Sequence, residues 1–80
     1  MKILKFYTPT CMPCRALGKV LATINDVVIE EINALENVAM VDNYNVCTTP
    51  TLIFLDDNDK EFNRTTGLVN KAKIEEILGR

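Results

Sequence analysis

The 80-residue chain has no histidine and no tryptophan, only three cysteines, three glycines and three prolines, and no cluster of basic residues. Each shortage excludes something. No apolar run approaches the ~20 residues of a membrane-spanning helix, so no membrane association is expected. Nine Lys and Arg are scattered among eleven Asp and Glu, for a net charge of −2. Nucleic acid is not an expected partner, because phosphate recognition needs concentrated basic side chains. A closed zinc site needs four ligands, usually Cys or His, and three cysteines without a histidine do not supply them. An iron–sulfur cluster would have to borrow ligands from a second chain or from glutathione, so no metal is expected. The odd cysteine count also argues against a disulfide-stapled secreted scaffold. The N-terminus, Met1-Lys2-Ile3-Leu4-Lys5, carries a lysine that would interrupt a signal-peptide apolar core, and it runs straight into the fold. A cytoplasmic protein is expected.

What is present suits one small globule. Apolar residues make up 48% of the chain, enough for a single core over residues 1–80 and no second domain. There is no repeat, linker or low-complexity segment. The most informative motif is Cys11-Met12-Pro13-Cys14. It follows an apolar strand-like run, Ile3-Leu4-Lys5-Phe6-Tyr7, and precedes a helical pattern that aligns Cys14, Leu17, Val20, Leu21 and Ile24 on one face. Cys11 therefore falls at a helix N-terminus, where free N–H groups and the helix dipole favour a thiolate. A thiolate attacks a disulfide, and a second thiol one turn on can resolve the mixed disulfide. A loop of two residues constrains the unfolded chain too little to be a staple, so the pair points to chemistry.

The remaining elements follow in order. Lys2 to Tyr7 reads as a strand covered on both faces, and Thr8-Pro9-Thr10 as a turn into the helix, with Pro13 tolerated in its first turn. The helix runs to about Thr23 and is broken at Asn25-Asp26. Val27 to Asn33 reads as a second strand, parallel to the first through a right-handed crossover. Glu36 to Asn43 is weakly helical. Tyr44 to Thr49 is a loop, Thr51 to Leu55 a third strand, Asp56 to Lys60 a polar turn, and Glu61 to Thr65 a fourth strand closing a hairpin. Asn70 caps a last helix with Ile74, Ile77 and Leu78 inward. The acidic turn lacks the glycine and the distal glutamate of a calcium loop and reads as solvated. Cys47 reads as a loop thiol near the site. The expected class is α/β, a four-stranded mixed sheet flanked by helices in the order βαβαββα.

These residues resemble thioredoxins and the smaller glutaredoxin-like redoxins over essentially the whole chain. The resemblance rests on Phe6-Tyr7, Cys11-Met12-Pro13-Cys14 with Arg15 after it, Tyr44-Asn45-Val46, Thr49-Pro50-Thr51-Leu52, and Gly67 before the last helix. It implies a thioredoxin-like fold, a cis Pro50 lying against the cysteine pair, and Thr49 as the backbone position facing substrate. A cis X-Pro bond is accessible because its trans preference is only ~0.5–1 kcal/mol. The chain departs from the thioredoxin pattern at three places. Thr10 stands where a tryptophan is usual, Lys5 where a buried acid is usual, and Met12-Pro13 where Gly-Pro is usual; the retained proline favours a reducing site.

The resemblance implies a small dithiol-disulfide oxidoreductase acting on protein disulfides. Cys11 would attack and Cys14 resolve, while Thr10, Met12, Pro13, Thr49 and Pro50 form the docking rim. The redox-active disulfide is the only group required, with no organic cofactor. Electrons would come from a thioredoxin-reductase-type donor or from glutathione, and the chain is expected to be a monomer. A glutathione-dependent glutaredoxin is the nearest alternative, although Thr8 and Gly67-Leu68-Val69-Asn70 lack that family's usual Lys and paired acids. A binding module with an idle cysteine pair is the non-enzymatic alternative. Lys5, mid-strand between covered faces, should either reach out to solvent or approach the thiols and tune them.

Overall fold

Alternating side chains on the two central strands build two cores. The computed structural model describes residues 1–80 as β1 (Lys2–Tyr7), α1 (Met12–Leu21), β2 (Val28–Asn33), α2 (Val38–Asn43), β3 (Thr51–Leu55), β4 (Glu61–Thr66) and α3 (Lys71–Ile77). The sheet order is β2-β1-β3-β4. β1 runs parallel to β2 and antiparallel to β3, and β3 is antiparallel to β4. The order βαβαββα and the mixed four-stranded sheet agree with the sequence reading.

β1 and β3 lie in the middle and are apolar on both faces, as strands covered on both sides must be. Ile3, Leu52 and Phe54 face α1 and α3, where they pack with Leu17, Leu21, Ile24, Ile74 and Leu78. Leu4, Phe6, Ile53 and Leu55 take the opposite face with Ile32, under Met40, Val41, Tyr44 and Val46 from the α2 side. Burying a Leu, Ile or Phe side chain stabilises by about 1.5–3 kcal/mol, so these two clusters supply most of the driving force.

The outer strands are polar where they meet solvent. β2 exposes Val28, Glu30 and Glu31 and buries only Ile32. On β4, Arg64 donates to the Tyr44 carbonyl at 2.8 Å and pairs with Glu61, tying this edge to the end of α2. Charged edges discourage pairing with another chain.

Element ends differ slightly from expectation. α1 stops at Leu21 rather than Thr23, because the Thr23 and Ile24 N–H groups close tighter turns on the Val20 and Leu21 carbonyls, each at 3.0 Å. Asp26, at φ 64°, then reverses the chain. α2 begins at Val38 rather than Glu36, because the Glu36 N–H closes a turn on the Asn33 carbonyl at 3.1 Å and Asn37 is its N-cap. β2 begins at Val28 rather than Val27, and β4 extends to Thr66. The Asn70 side chain accepts from the Lys73 N–H at 2.9 Å, the expected cap, and Ile77 is only partly buried beside Ile74 and Leu78. In the polar turn the Asp56 carboxylate accepts from the Asn58 and Lys60 N–H groups at 2.8 and 3.0 Å.

Candidate active site

The site lies where β1 hands over to α1. The Cys11 N–H donates to the Thr8 carbonyl at 3.3 Å, turning the chain out of the sheet. Cys11 is the N-cap of α1, at φ −92° and ψ 109°, and its Sγ accepts the Cys14 N–H at 3.2 Å. A sulfur in that position receives the helix's unpaired N–H and the positive end of its dipole. Pro13, in the first turn, has no N–H to leave unpaired. The Cα atoms of Cys11 and Cys14 are 5.2 Å apart and the two sulfurs are bonded as a disulfide.

The two sulfurs are placed unequally. Cys14 is 2% exposed, turned under the helix beside the core, while Cys11 is partly accessible. Met12, 71% exposed, stands between them on the solvent side, with Thr10 and Pro13 also exposed. A group approaching from solvent meets Cys11 first.

Thr49 and Pro50 precede β3. Phe6 pairs with Thr51, which sets Pro50 at the end of the sheet where β1 yields to the cysteine turn. The Thr49–Pro50 peptide is cis. Pro50 is buried and Thr49 half-buried, and the Pro50 carbonyl accepts the Gly67 N–H at 2.9 Å. Gly67 holds φ at 78°, a left-handed conformation that favours glycine. Thr51 braces the loop from beneath, its hydroxyl donating to the Thr48 carbonyl at 2.6 Å.

Lys5 does not reach out to solvent. It is 5% exposed, on the α1 side of the sheet, with Nζ 3.7 Å from the Glu31 carboxylate and 5.8 Å from the centre of the Tyr7 ring. Lys5, Tyr7, Thr8, Pro9, Cys14, Arg15 and Glu31 line one cavity of about 210 Å³. The sequence reading singled out neither Glu31 nor Gly18, whose missing side chain leaves room for the Lys5 ammonium. The available signal was opposite charge on two strands read as parallel, but the register that pairs Lys5 with Glu31 was not legible.

Cys47 is exposed, and its thiol donates to the Asn45 carbonyl at 3.6 Å. It borders a second cleft of about 260 Å³ together with Ala34, Val41, Val46, Thr48 and Thr49. No group of three or more His, Cys, Asp or Glu side chains is arranged to hold a metal ion. No helix is long and apolar enough to cross a membrane.

A disulfide that caps a helix, with one sulfur accessible and the other buried, on a four-stranded α/β fold, defines a thiol-disulfide oxidoreductase. The thioredoxin family model matches residues 1–80, and the chain belongs to the thioredoxin family. A thioredoxin of Chlamydia caviae is 30% identical over 98% of this chain and 79% of its own length. A prophage-derived thioredoxin-like protein of Bacillus subtilis is 26% identical over 98% of this chain and 95% of its own. Among solved structures, thioredoxin 1 of Thermosipho africanus superposes with a TM-score of 0.87 at 30% identity, covering 100% of this chain and 92% of that one. The protein is a thioredoxin-type dithiol oxidoreductase.

Proposed function

We propose that this protein reduces protein disulfides with Cys11 as the attacking thiol and Cys14 as the resolving one, in a single domain spanning residues 1–80. The observation that carries the assignment is the unequal exposure of the two sulfurs at the helix N-terminus. In the reduced protein the Cys11 thiolate attacks one sulfur of a substrate disulfide. A bond forms between Cys11 and that sulfur, and the other substrate sulfur leaves as a thiolate. Cys14 then attacks Cys11, the mixed disulfide breaks, and the second substrate thiolate departs. Two electrons have moved from the cysteine pair to the substrate.

Thr10, Met12 and Pro13 on one side, with Thr49 and Pro50 on the other, form the rim against which a substrate strand lies. Lys5 tunes the thiols from below. The redox-active disulfide is the whole redox group in this reading, with no organic cofactor or metal. The protein works as a cytoplasmic monomer, as its small, nearly neutral and cysteine-poor chain suggests.

Electrons come from a flavin reductase of the thioredoxin-reductase type. Family membership supports that donor, as does the absence of paired acids in Gly67-Leu68-Val69-Asn70 that would hold the amine of glutathione. The test supplies the oxidised protein either with thioredoxin reductase and NADPH, or with glutathione, glutathione reductase and NADPH, and follows NADPH oxidation coupled to insulin reduction. Turnover in the first mixture is expected. Turnover only in the second would reassign the donor to glutathione, and failure to accelerate insulin reduction by dithiothreitol would leave a binding module.

A further inference from the structure

A buried ammonium needs acceptors for its three N–H groups, and Lys5, at 5% exposure, is short of them. Its ion-pair partner, the Glu31 carboxylate, stands 3.7 Å from Nζ, longer than a hydrogen bond. The Tyr7 ring lies 5.8 Å from Nζ, and Gly18 of α1 leaves the space over it open, where a Cβ would stand 3.1 Å away. Glu31 and Tyr7 both line the cavity of about 210 Å³, so the ammonium end of Lys5 is the part that borders it. That volume is several times the ~30 Å³ share of one water, enough for a small molecule.

Arg15 reaches the same cavity from α1. Its Nη2 donates to the carbonyl of Pro9, another lining residue, at 3.4 Å. That bond engages one of the five guanidinium donors. Lys5 and Arg15 against Glu31 leave the lining with one positive charge in excess, and with more donors than acceptors.

We infer that this cavity is a binding site for a small monocarboxylate, held between the Lys5 ammonium and the Arg15 guanidinium. A planar carboxylate accepts N–H groups from a guanidinium side by side, and its second lone pairs remain for the ammonium. Its single negative charge matches the excess on the lining. A dianion such as phosphate would set a further charge against Glu31. Glu31 already presents a carboxylate to Nζ at 3.7 Å, and its side chain, 57% exposed, can turn to solvent as the ligand enters. No bond is made or broken here, and the roles of the two sulfurs do not enter.

The test uses the oxidised protein labelled with nitrogen-15, at fixed pH, with sodium acetate replacing sodium chloride at constant ionic strength. The backbone amide resonances of Tyr7, Thr8 and Arg15 should shift along a saturable curve, while those of the far hairpin, Asp57 to Lys60, stay still. Lys5→Met keeps the stem and removes the ammonium, so the saturable shift should vanish. Arg15→Gln should move saturation to higher acetate. Glu31→Gln removes the competing carboxylate and should move saturation to several-fold lower acetate, the opposite direction.

A shift that only drifts linearly, or a saturable one that survives Lys5→Met, overturns the inference. The same spectra show whether each variant is folded. Should Lys5→Met fail to fold, the two substitutions at exposed side chains decide: saturation unmoved in both overturns the site. Sodium phosphate at equal ionic strength should shift these amides far less, and saturation matching that of acetate would overturn the assignment to a carboxylate.

Discussion

The two faces of the sheet are built from the same two strands and carry different burdens. Between the sheet and α1 and α3 lie eight buried apolar residues and the buried Lys5, which lines one cavity with Cys14. Under α2 lie five buried apolar residues and no buried charge, with half-buried Met40, Val41, Tyr44 and Val46 completing the cover. The first face both stabilises the fold and holds the buried sulfur of the cysteine pair. The second has fewer buried residues and ends in the cleft that Cys47, Thr48 and Thr49 line.

The strongest way to break this comparison is at the sulfurs. Cys11→Ser should abolish insulin reduction. Cys14→Ser should instead accumulate covalent mixed disulfides, visible as adducts on non-reducing gels and removed by dithiothreitol. Rapid alkylation of Cys14 with Cys11 left unmodified in the reduced protein would exchange the two roles.

The unequal burial can be tested next by stability. Phe54→Ala empties the centre of the α1/α3 layer and should cost about 3–5 kcal/mol in urea unfolding. Met40→Ala trims a half-buried side chain of the α2 layer and should cost less than about 2 kcal/mol, below the fully buried range for such a change. Equal losses would mean that the α2 side is as important to stability as the other.

The smallest effect is expected where α2 is tied to the β4 edge. The hydrogen bond from Arg64 holds the Glu61 carboxyl below its ordinary pKa, and the same pairing raises that of Arg64. A carboxyl depressed in the folded state contributes stability that is complete above its unfolded pKa and fades as pH falls through the folded one. Arg64→Met should therefore cost about 0.2–1 kcal/mol near neutrality, the range of exposed pairs. The difference from the parent should narrow in acid below the usual glutamate range, as unfolding at several pH values would reveal. A cost that does not change with pH would assign it to the lost Arg64 contact with the Tyr44 carbonyl rather than to the ion pair.

Much of the fold was legible because its signals are local. The apolar run from Ile3 to Phe6, the cysteine pair with Pro13 behind it, the β-branched start of β2, and Asn70 three residues before the N–H it caps all act over a few residues. So the order βαβαββα, the parallel β1–β2 pair and the β3–β4 hairpin could be read directly. The ends of α1 and α2 were misjudged by two residues because tighter turns at Thr23 and Glu36 compete with the helix on nearly equal terms. The spacing of Cys11 and Cys14 is a modest signal by itself and gains its force from the Thr49-Pro50-Thr51 that opens β3. Which sulfur faces solvent is settled by packing of Cys14 beneath α1.

By itself, the sequence determined the element order, a first strand apolar on both faces apart from Lys5, and a helix that begins at a cysteine. These depend on residue type and spacing, which a linear chain contains in full. Only the tertiary structure decided that Lys5 stays inside, that Glu31 is its partner, that Gly18 clears its space and that Cys14 shares its cavity. Lys5 and Glu31 are far apart in the chain and meet only through the β1–β2 register. Register comes from the balance of every contact along two strands, so no local pattern around either residue announces it.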